Sequence, residues 1–521
     1  MSYLLMLLCG ALTAAPYVFD FLFFLPYFTV APLIIVTLKK SAPYRHGLTF
    51  FLGYYAVVYH WFLYLYPLDF AGFNELGSIA VILVAWLGMS LLQGIGGAFV
   101  PMIFKALSKD RHPLFLPFLF ASLWCVMEWA QNLFWFGVPW ARLALTQYKI
   151  LPIVQSASLI GSLGVGFIII LIGAFISLAY MHSESLRFAK IYSVVAALIF
   201  VFNFAFGTIK LTVRKNEGET LTASVIQANI GSSDKWADNS VEGSLNLYSE
   251  LSRNAVNESG AKLIVWPETV IITDLNRDEM IIDSICELSR ELDAYIAVGS
   301  FYVKESDDGY NRYNSVYMFN PDGSMSETVY SKRHLVPFGE YIPAEKVINA
   351  VLPFLSEINM LSEPLSEGNE SHLFTTEFGK IGSLICFDSI YDSLSRESVR
   401  DGAELLILST NDSWYKDSAS VYQHNAHAVL RAIENGRCIV RAANTGVSSI
   451  ISDEGVVLTE IGPLKQGYTS ETVNISGRKT VYNLIGNSMV YMSIAYIALL
   501  SALKIKDRYE KKYCEKNDFN V

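Results

Sequence analysis

The chain has 521 residues, of which 52% are hydrophobic and only 17% charged, and its mean hydropathy is +0.34. Soluble proteins carry about a quarter charged residues, so a wholly soluble protein is excluded and part of the chain belongs in lipid. A formal charge of −10 and a pI near 5.4 argue against nucleic acid as a partner.

From the N-terminus to about residue 209, long apolar runs dominate. A bilayer core takes about 20 apolar residues per helix. Runs at 21–38, 48–65, 78–104, 114–136, 156–181 and 191–209 meet or approach that length, and 484–503 adds one at the far end. The opening run, 4–19, is short and followed by Asp20, so it reads as a full span or as half of a shallow hairpin. It lacks the basic flank of a cleaved signal. Lys39, Lys40 and Arg45, then Lys105, Lys109 and Arg111, then Arg187 and Lys190, and finally the tail Lys504, Lys506, Arg508, Lys511 and Lys512 mark the cytoplasmic side; residues 66–77 hold no Lys or Arg. Residues 210–480 then lie outside, with Arg142 and Lys149 as two charges against the assignment. The expected organisation is a helical membrane block over 1–209, an extracytoplasmic domain over 210–480, a last span over 481–505 and a basic tail over 506–521. Glu128 and His60 fall inside apolar runs. A carboxyl there is costly unless paired, and the expectation is that Glu128 ties helices together or holds the loop Gly137-Val-Pro-Trp140, with a part in the chemistry as the lesser alternative.

Between 220 and 460 the pattern changes to short apolar strands alternating with amphipathic stretches. Residues 221–228, 261–266, 294–303, 380–386, 404–409 and 437–443 read as strands; 241–256, 279–292 and 421–435 read as helices. Such alternation predicts an α/β layered domain with buried sheets. No phosphate-binding glycine motif is present, which argues against nucleotide chemistry. Of six cysteines, Cys286, Cys386 and Cys438 lie in this region, without zinc-type spacing; an odd number leaves at least one thiol free.

Three segments carry reactive groups. Leu263-Ile-Val-Trp-Pro-Glu268 ends a strand in a carboxylate, and Tyr330-Ser-Lys-Arg-His-Leu-Val-Pro-Phe-Gly-Glu-Tyr341 holds Lys332. Gly382-Ser-Leu-Ile-Cys-Phe-Asp388 delivers Cys386 to a turn. A thiol is mostly protonated at neutral pH and needs a base or a cation to attack. Glu268 can take its proton while Lys332 stabilises thiolate and oxyanion. Taken singly, each residue also fits a solvated cap, a surface lysine or an inert core thiol.

Together, these three segments resemble the catalytic motifs of the nitrilase (carbon–nitrogen hydrolase) superfamily, in its order. That resemblance implies a Glu–Lys–Cys triad in an αββα sandwich: Glu268 as general base, Lys332 as oxyanion-stabilising lysine and Cys386 as nucleophile. Glu340 matches the further glutamate that orients the lysine. Trp236, Phe387, and Asn411 and Trp414 in Thr410-Asn-Asp-Ser-Trp-Tyr415 match substrate-side positions; Arg441-Ala-Ala-Asn-Thr-Gly446 matches another motif. The flanking spans, with Glu128-Trp129 and Gly137-Val-Pro-Trp140, resemble the apolipoprotein N-acyltransferase family. Phe387-Asp388 stands where relatives often carry Tyr-Glu, and Gln131 where an arginine is common.

The resemblance implies acyl transfer from a phospholipid through a Cys386 thioester to the α-amine of a diacylglyceryl-cysteine apolipoprotein. It implies no cofactor or metal, a bacterial inner membrane location with the catalytic domain on the periplasmic side, and a monomer. Apolar segments at 351–355 and 358–361 are expected either to form an interfacial lid or to pack on the domain. Alternatives are a membrane-anchored amidase using the same triad, a non-enzymatic transporter or sensor, and histidine-dependent thiol chemistry through His424 or His427.

Overall fold

The computed structural model describes residues 1–68, 72–133, 137–213, 218–231, 240–306, 309–342 and 364–518. Two compact units emerge: Met1–His60, Val84–Lys210 and Ile485–Val521 form one, and Trp61–Leu83 with Leu211–Leu484 form the other.

The first unit is helical: α1 (Ser2–Ala14), α2 (Ala31–Lys39), α3 (Pro43–Val58), α4 (Glu75–Ser108), α5 (Phe115–Ala130), α6 (Ala157–Met181), α7 (Leu186–Val213) and the C-terminal α12 (Ser488–Asp518). Four helices are long and apolar enough to cross a membrane among the described residues: Glu75–Ser108, Ala157–Met181, Leu186–Val213 and Ser488–Lys511. The expected run 21–38 is not one span. Asp20–Leu22 is a 3₁₀ turn, Pro26–Thr29 a single helical turn, and α2 begins afresh with Pro32 in its first turn. Proline lacks the N–H that an uninterrupted helix needs, so apolar composition alone overstates the length. Likewise 48–65 is α3 followed by a 3₁₀ stretch, His60–Leu65. In that stretch His60 Nδ1 lies 2.8 Å from the Val57 carbonyl. Helices α1 and α3 cross closely because Gly10 and Gly53 face the partner backbone; a Cβ at either would collide with Phe50 O or Leu7 O.

Glu128 on α5 is fully buried, and its Oε1 accepts from Trp124 Nε1 (3.0 Å) and the Leu143 amide (2.9 Å). Arg142, expected as an outer loop charge, is instead buried. Its guanidinium donates to Asn132 Oδ1 (2.8 Å) and the Glu128 carbonyl (3.2 Å). Tyr17 and Tyr54 hydroxyls donate to the carbonyls of Arg142 and Ala141. Glu128 thus ties α5 to the start of the 3₁₀ turn Leu143–Gln147, three residues beyond the loop that the sequence singled out.

The second unit is a four-layer α/β sandwich. Strands β1 (Glu219–Gln227), β2 (Leu263–Val265), β3 (Tyr295–Ser306), β4 (Gly309–Phe319) and β5 (Met325–Ser331), with the returning β12 (Gly467–Ile475), form one six-stranded sheet in the order β12-β1-β2-β3-β4-β5. The other sheet, β11-β10-β9-β8-β7-β6, is built from β6 (Leu373–Thr376), β7 (Gly379–Ile385), β8 (Leu405–Thr410), β9 (Ile439–Ala443), β10 (Ser448–Ile451) and β11 (Val457–Ile461). In each sheet three central strands run parallel, β1-β2-β3 and β7-β8-β9, and antiparallel strands flank them.

Alternation along the strands fixes the layers. Val225, Leu263, Val265 and Ala297 face Ile381, Ile385, Leu405 and Val440 across the inter-sheet core. Ile226, Ile264, Ile296 and Val298 turn outward onto α8 (Ser240–Ser259) and α9 (Glu279–Leu292). Strands buried on both faces read as unbroken apolar runs, which is why the sequence shows them. Helix α9 begins where Asp278 accepts the Ile281 amide and stops at Asp293 in a left-handed conformation. On the far sheet, α10 (Asp392–Arg400) and α11 (Ala419–Asn435) supply the fourth layer, α11 ending at left-handed Gly436.

Candidate active site

The reactive residues lie just beyond strand ends. Glu268 follows β2 after Pro267, with Thr269 held at φ +45°. The neighbouring strand passes so close here that a Cβ on Gly299 would strike Pro267 O and stand 2.7 Å from Thr269 N. Lys332 extends the ladder beyond β5: its amide donates to Asn314 O and its carbonyl accepts from the Gly368 amide, both at 2.8 Å. Glu340 is placed by the turn Pro337-Phe-Gly-Glu-Tyr341, where Phe338 sits at φ +63° and its amide donates to Tyr341 O.

These three side chains meet. Lys332 Nζ lies 2.9 Å from Glu268 Oε1 and 2.9 Å from Glu340 Oε1, with the lysine 1% exposed. Asn314 Nδ2 bridges the same two carboxylate oxygens at 2.6 and 3.1 Å, and the Val336 amide donates to Glu340 Oε2 at 2.8 Å. Burial alone would strip the lysine of its proton, yet the facing charges of Glu268 and Glu340 outweigh it and hold the ammonium well above the usual lysine range. Burial pushes the Glu340 carboxyl up, against the pull of Lys332.

Cys386 opens a 3₁₀ turn, Cys386–Ile390, at the end of β7 and takes φ +48°, a strained value for a residue with a Cβ. The residue is buried, 9% exposed. Burial first, and then the charge of Glu268, push its thiol above the usual range, with Lys332 opposing. A group in that state rests as a neutral thiol and needs a base at the moment of attack. Asp388 clips the lysine loop to this turn. Its Oδ1 accepts the amides of Arg333 (3.2 Å) and His334 (2.9 Å), and its Oδ2 accepts the Ile385 amide (3.1 Å) and the Tyr330 hydroxyl (2.9 Å). The aspartate at this position therefore has a full set of donors at its own side-chain length.

Of the expected substrate-side residues, Phe387 is buried, edge-on to Tyr391 at 5.6 Å. Asn411 Oδ1 accepts the Ser413 amide at 3.3 Å, shaping the turn after β8, and Trp414 is half-buried in that turn. Beside it, Trp61 packs edge-on against Tyr415 at 4.9 Å and Lys416 Nζ donates to the Tyr66 carbonyl. Trp236 and the segments 351–355 and 358–361 lie outside the described residues.

Two groups that the sequence did not single out, Asn314 and Asp412, complete the site, together with Asp388, which the sequence marked only as a departure from the Tyr-Glu of relatives. Asp412 sits inside the Thr410–Tyr415 motif, so the motif carries its signal even though Asn411 and Trp414 are the residues that stand out there. Asn314 left no signal, because a lone asparagine in a polar strand reads as surface.

The carbon–nitrogen hydrolase family matches residues 222–482, and the apolipoprotein N-acyltransferase N-terminal domain matches residues 8–175. Among relatives, the apolipoprotein N-acyltransferase of Geobacter metallireducens is 29% identical, over 97% of this chain and 95% of its own length. That of Nitrosomonas europaea is 27% identical over 95% of both. Among solved structures, a carbon–nitrogen hydrolase from Helicobacter pylori G27 is 17% identical, covering 55% of this chain and 94% of its own, with a TM-score of 0.39.

Proposed function

The chain belongs to the carbon–nitrogen hydrolase family, in its apolipoprotein N-acyltransferase branch, and from that premise we propose the following reaction for this acyltransferase of the bacterial membrane. A fatty acyl chain passes from a phospholipid to Cys386 and then to the N-terminal amine of a diacylglyceryl-cysteine lipoprotein. The supporting observation is the buried Glu268–Lys332–Glu340 cluster within electrostatic reach of a strained, neutral Cys386 thiol.

In the first half-reaction Glu268 accepts the Cys386 proton as the sulfur attacks the ester carbonyl carbon. The C–S bond forms, and the oxyanion is met by the Lys332 ammonium and a backbone N–H of the nucleophile turn. Collapse breaks the ester C–O bond, and the departing lysophospholipid oxygen takes the proton from Glu268. In the second half-reaction the lipoprotein amine attacks the thioester carbonyl and yields a proton to Glu268. The C–S bond then breaks, and that proton returns to sulfur. Glu340 and Asn314 hold the lysine in place, and Phe387, Asn411 and Trp414, with Trp236 by its motif position alone, are assigned to substrate binding. The basic loops at 39–45, 105–111 and 187–190 support a reading in which the catalytic region lies on the outer face of the inner membrane, and the proposed working unit is a monomer.

The test is intact mass spectrometry of the detergent-purified protein given a phospholipid donor and no acceptor. A fatty-acyl increment on the wild type, absent in Cys386→Ala and released by hydroxylamine, is the expected result. No adduct, with an amide substrate hydrolysed instead, would replace the transferase reading with an amidase.

A further inference from the structure

Directly behind the nucleophile turn lies a row of fully buried polar groups that the reaction above leaves unused. His424, on α11, lies with Nε2 3.1 Å from the Cys386 carbonyl oxygen and 3.0 Å from Ser389 Oγ. Ser389 Oγ itself donates to the Cys386 carbonyl at 2.8 Å. The other ring nitrogen, Nδ1, is 2.8 Å from Asp412 Oδ1, and Asp412 Oδ2 is 2.9 Å from the Arg441 guanidinium. Ser389, Asp412 and Arg441 are 0% exposed and His424 is 1% exposed. Two elements, the nucleophile turn and α11, thus meet at the Cys386 carbonyl, and Asp412 beyond β8 and Arg441 on β9 brace the histidine behind it. The room for Asp412 is kept by Gly446, where a Cβ would collide with Oδ2.

Burial acts to raise the Asp412 carboxyl, yet His424 and Arg441 bring it down to about 2, so it is an acceptor only. His424 Nδ1 therefore donates to Asp412, and because the Ser389 O–H is already given to the Cys386 carbonyl, Nε2 meets that carbonyl and Ser389 Oγ as a second N–H donor, both ring nitrogens carrying a proton in this arrangement. Ser389 is not a second nucleophile here. Its hydroxyl is sealed inside the same turn and bonded to the carbonyl it would have to leave.

Planarity of the peptide bond gives this arrangement a consequence at the reacting centre. In a trans peptide the C=O and the N–H point in opposite directions. Pinning the Cys386 carbonyl toward His424 and Ser389 therefore turns the Phe387 N–H away from them. That N–H lies in the first turn of its helix, where no intrahelical acceptor exists. We propose that His424, braced by Asp412 and Arg441 and assisted by Ser389, is a positioning residue that sets the Cys386–Phe387 peptide so that its N–H is preorganised for the acyl oxyanion. The proposal rests on Cys386 as the nucleophile. It predicts a loss confined to steps that develop negative charge on a carbonyl oxygen.

The experiment compares acyl-enzyme formation from phospholipid with alkylation of Cys386 by iodoacetamide, a displacement at sulfur with no oxyanion. Wild type, His424→Asn, His424→Gln and Ser389→Ala are measured as full-length protein in detergent. Asparagine retains a donor to Asp412 but cannot reach the carbonyl, whereas glutamine presents an N–H near the Nε2 position. His424→Asn is expected to slow acylation by ~10- to 100-fold, below the ~10²- to 10³-fold of losing an oxyanion donor outright. Donor KM and Cys386 alkylation should stay within about twofold, while His424→Gln recovers most of the acylation rate and Ser389→Ala loses about threefold. Acylation and alkylation falling together, with a lowered thermal midpoint, would reduce His424 to a packing residue and overturn the proposal. So would a His424→Asn enzyme that acylates normally. Should that variant not fold, a Ser389→Ala enzyme with unchanged acylation would overturn the proposal in its place. A wild type that forms no adduct at all removes Cys386 as nucleophile, a failure distinct from these because no variant is involved.

Discussion

The two units bury charge in different ways. In the helical unit Glu128 receives one indole N–H and one backbone amide, and the neighbouring Arg142 bonds the backbone oxygen of Glu128 rather than its carboxylate. One partner of Glu128, Leu143, opens the 3₁₀ turn Leu143–Gln147 after the non-helical residues 141–142 inside an apolar bundle. In the α/β unit, Lys332 meets two carboxylates and Asp412 meets a histidine and an arginine, the groups coming from strand ends, a loop, a strand and a helix near one thiol. Helices satisfy their own backbone, so a bundle needs polar side chains chiefly where a helix stops. An open sheet leaves its strand ends to be finished by side chains, and there charges can be set against one another for chemistry. The contrast predicts that changes in the second set cost activity and stability together, whereas changes in the first cost stability alone.

The largest effect tests the chemical half. Lys332→Met leaves Glu268 and Glu340 buried side by side without their cation. Breaking a buried pair by removing one partner costs about 3–5 kcal/mol, and loss of an oxyanion-stabilising group costs ~10²- to 10³-fold in rate. Chemical denaturation in detergent should show the first and acyl-enzyme mass the second. A fully active Lys332→Met protein would dissolve the distinction between the units.

Next comes Asp412, through pH. Its carboxyl falls from 3.8 to about 2 in the folded protein. A depressed carboxyl contributes stability above its unfolded value and loses it as pH falls through the folded one. On the order of 2 kcal/mol should therefore disappear between about pH 4 and pH 2. Denaturation midpoints across that window are expected to drop in the wild type and to be flatter, from a lower start, in Asp412→Asn.

How much of this was legible follows the same division. Helix α9 could be read to its ends because Asp278 caps it and an apolar stripe lines one face. The central strands β2, β7 and β8 were visible because both of their faces are buried. The flanking strands β4, β5, β6 and β10 to β12 were not: their polar alternation resembles loop, and β12 pairs with β1 across nearly the whole domain, from Glu219 against Ile475 onward. Glu268, Lys332 and Cys386 stood out because each ends a recognisable motif. Asn314 did not, and His424 stood out only as an alternative thiol partner rather than as a brace behind the turn, since their partners are set by sheet register and helix packing, which no local window contains. In the helical unit, hydropathy located the apolar stretches and missed their interruptions, because Asp20, Pro26 and Pro32 barely move an average over twenty residues yet stop a helix.

The structural half makes a smaller prediction. Glu128→Leu orphans the Trp124 indole N–H and the Leu143 amide within the bundle, and each unsatisfied buried donor costs about 1–3 kcal/mol. The thermal midpoint in detergent should fall, while the Cys386 acylation rate of the folded fraction stays close to wild type. Lost acylation in a variant that still folds would give Glu128 a part in the reaction and break the contrast.

The smallest expected effect is the sharpest on this point. In Glu128→Gln the side-chain oxygen remains an acceptor at the same reach, so Trp124 and Leu143 keep their partner and only the ionisable group is lost. If Glu128 acts as an acceptor, neither the thermal midpoint nor the acylation rate should move beyond the few tenths of a kcal/mol typical of a near-isosteric change. Gly166 passes close by, a Cβ there standing 3.1 Å from Glu128 Oε2, so the carboxamide must turn its oxygen toward Trp124 and seat its NH₂ against that helix. A loss in Glu128→Gln as large as that in Glu128→Leu would mean that the carboxylate's charge, rather than its oxygen, holds the bundle. The two units would then bury charge by the same rule.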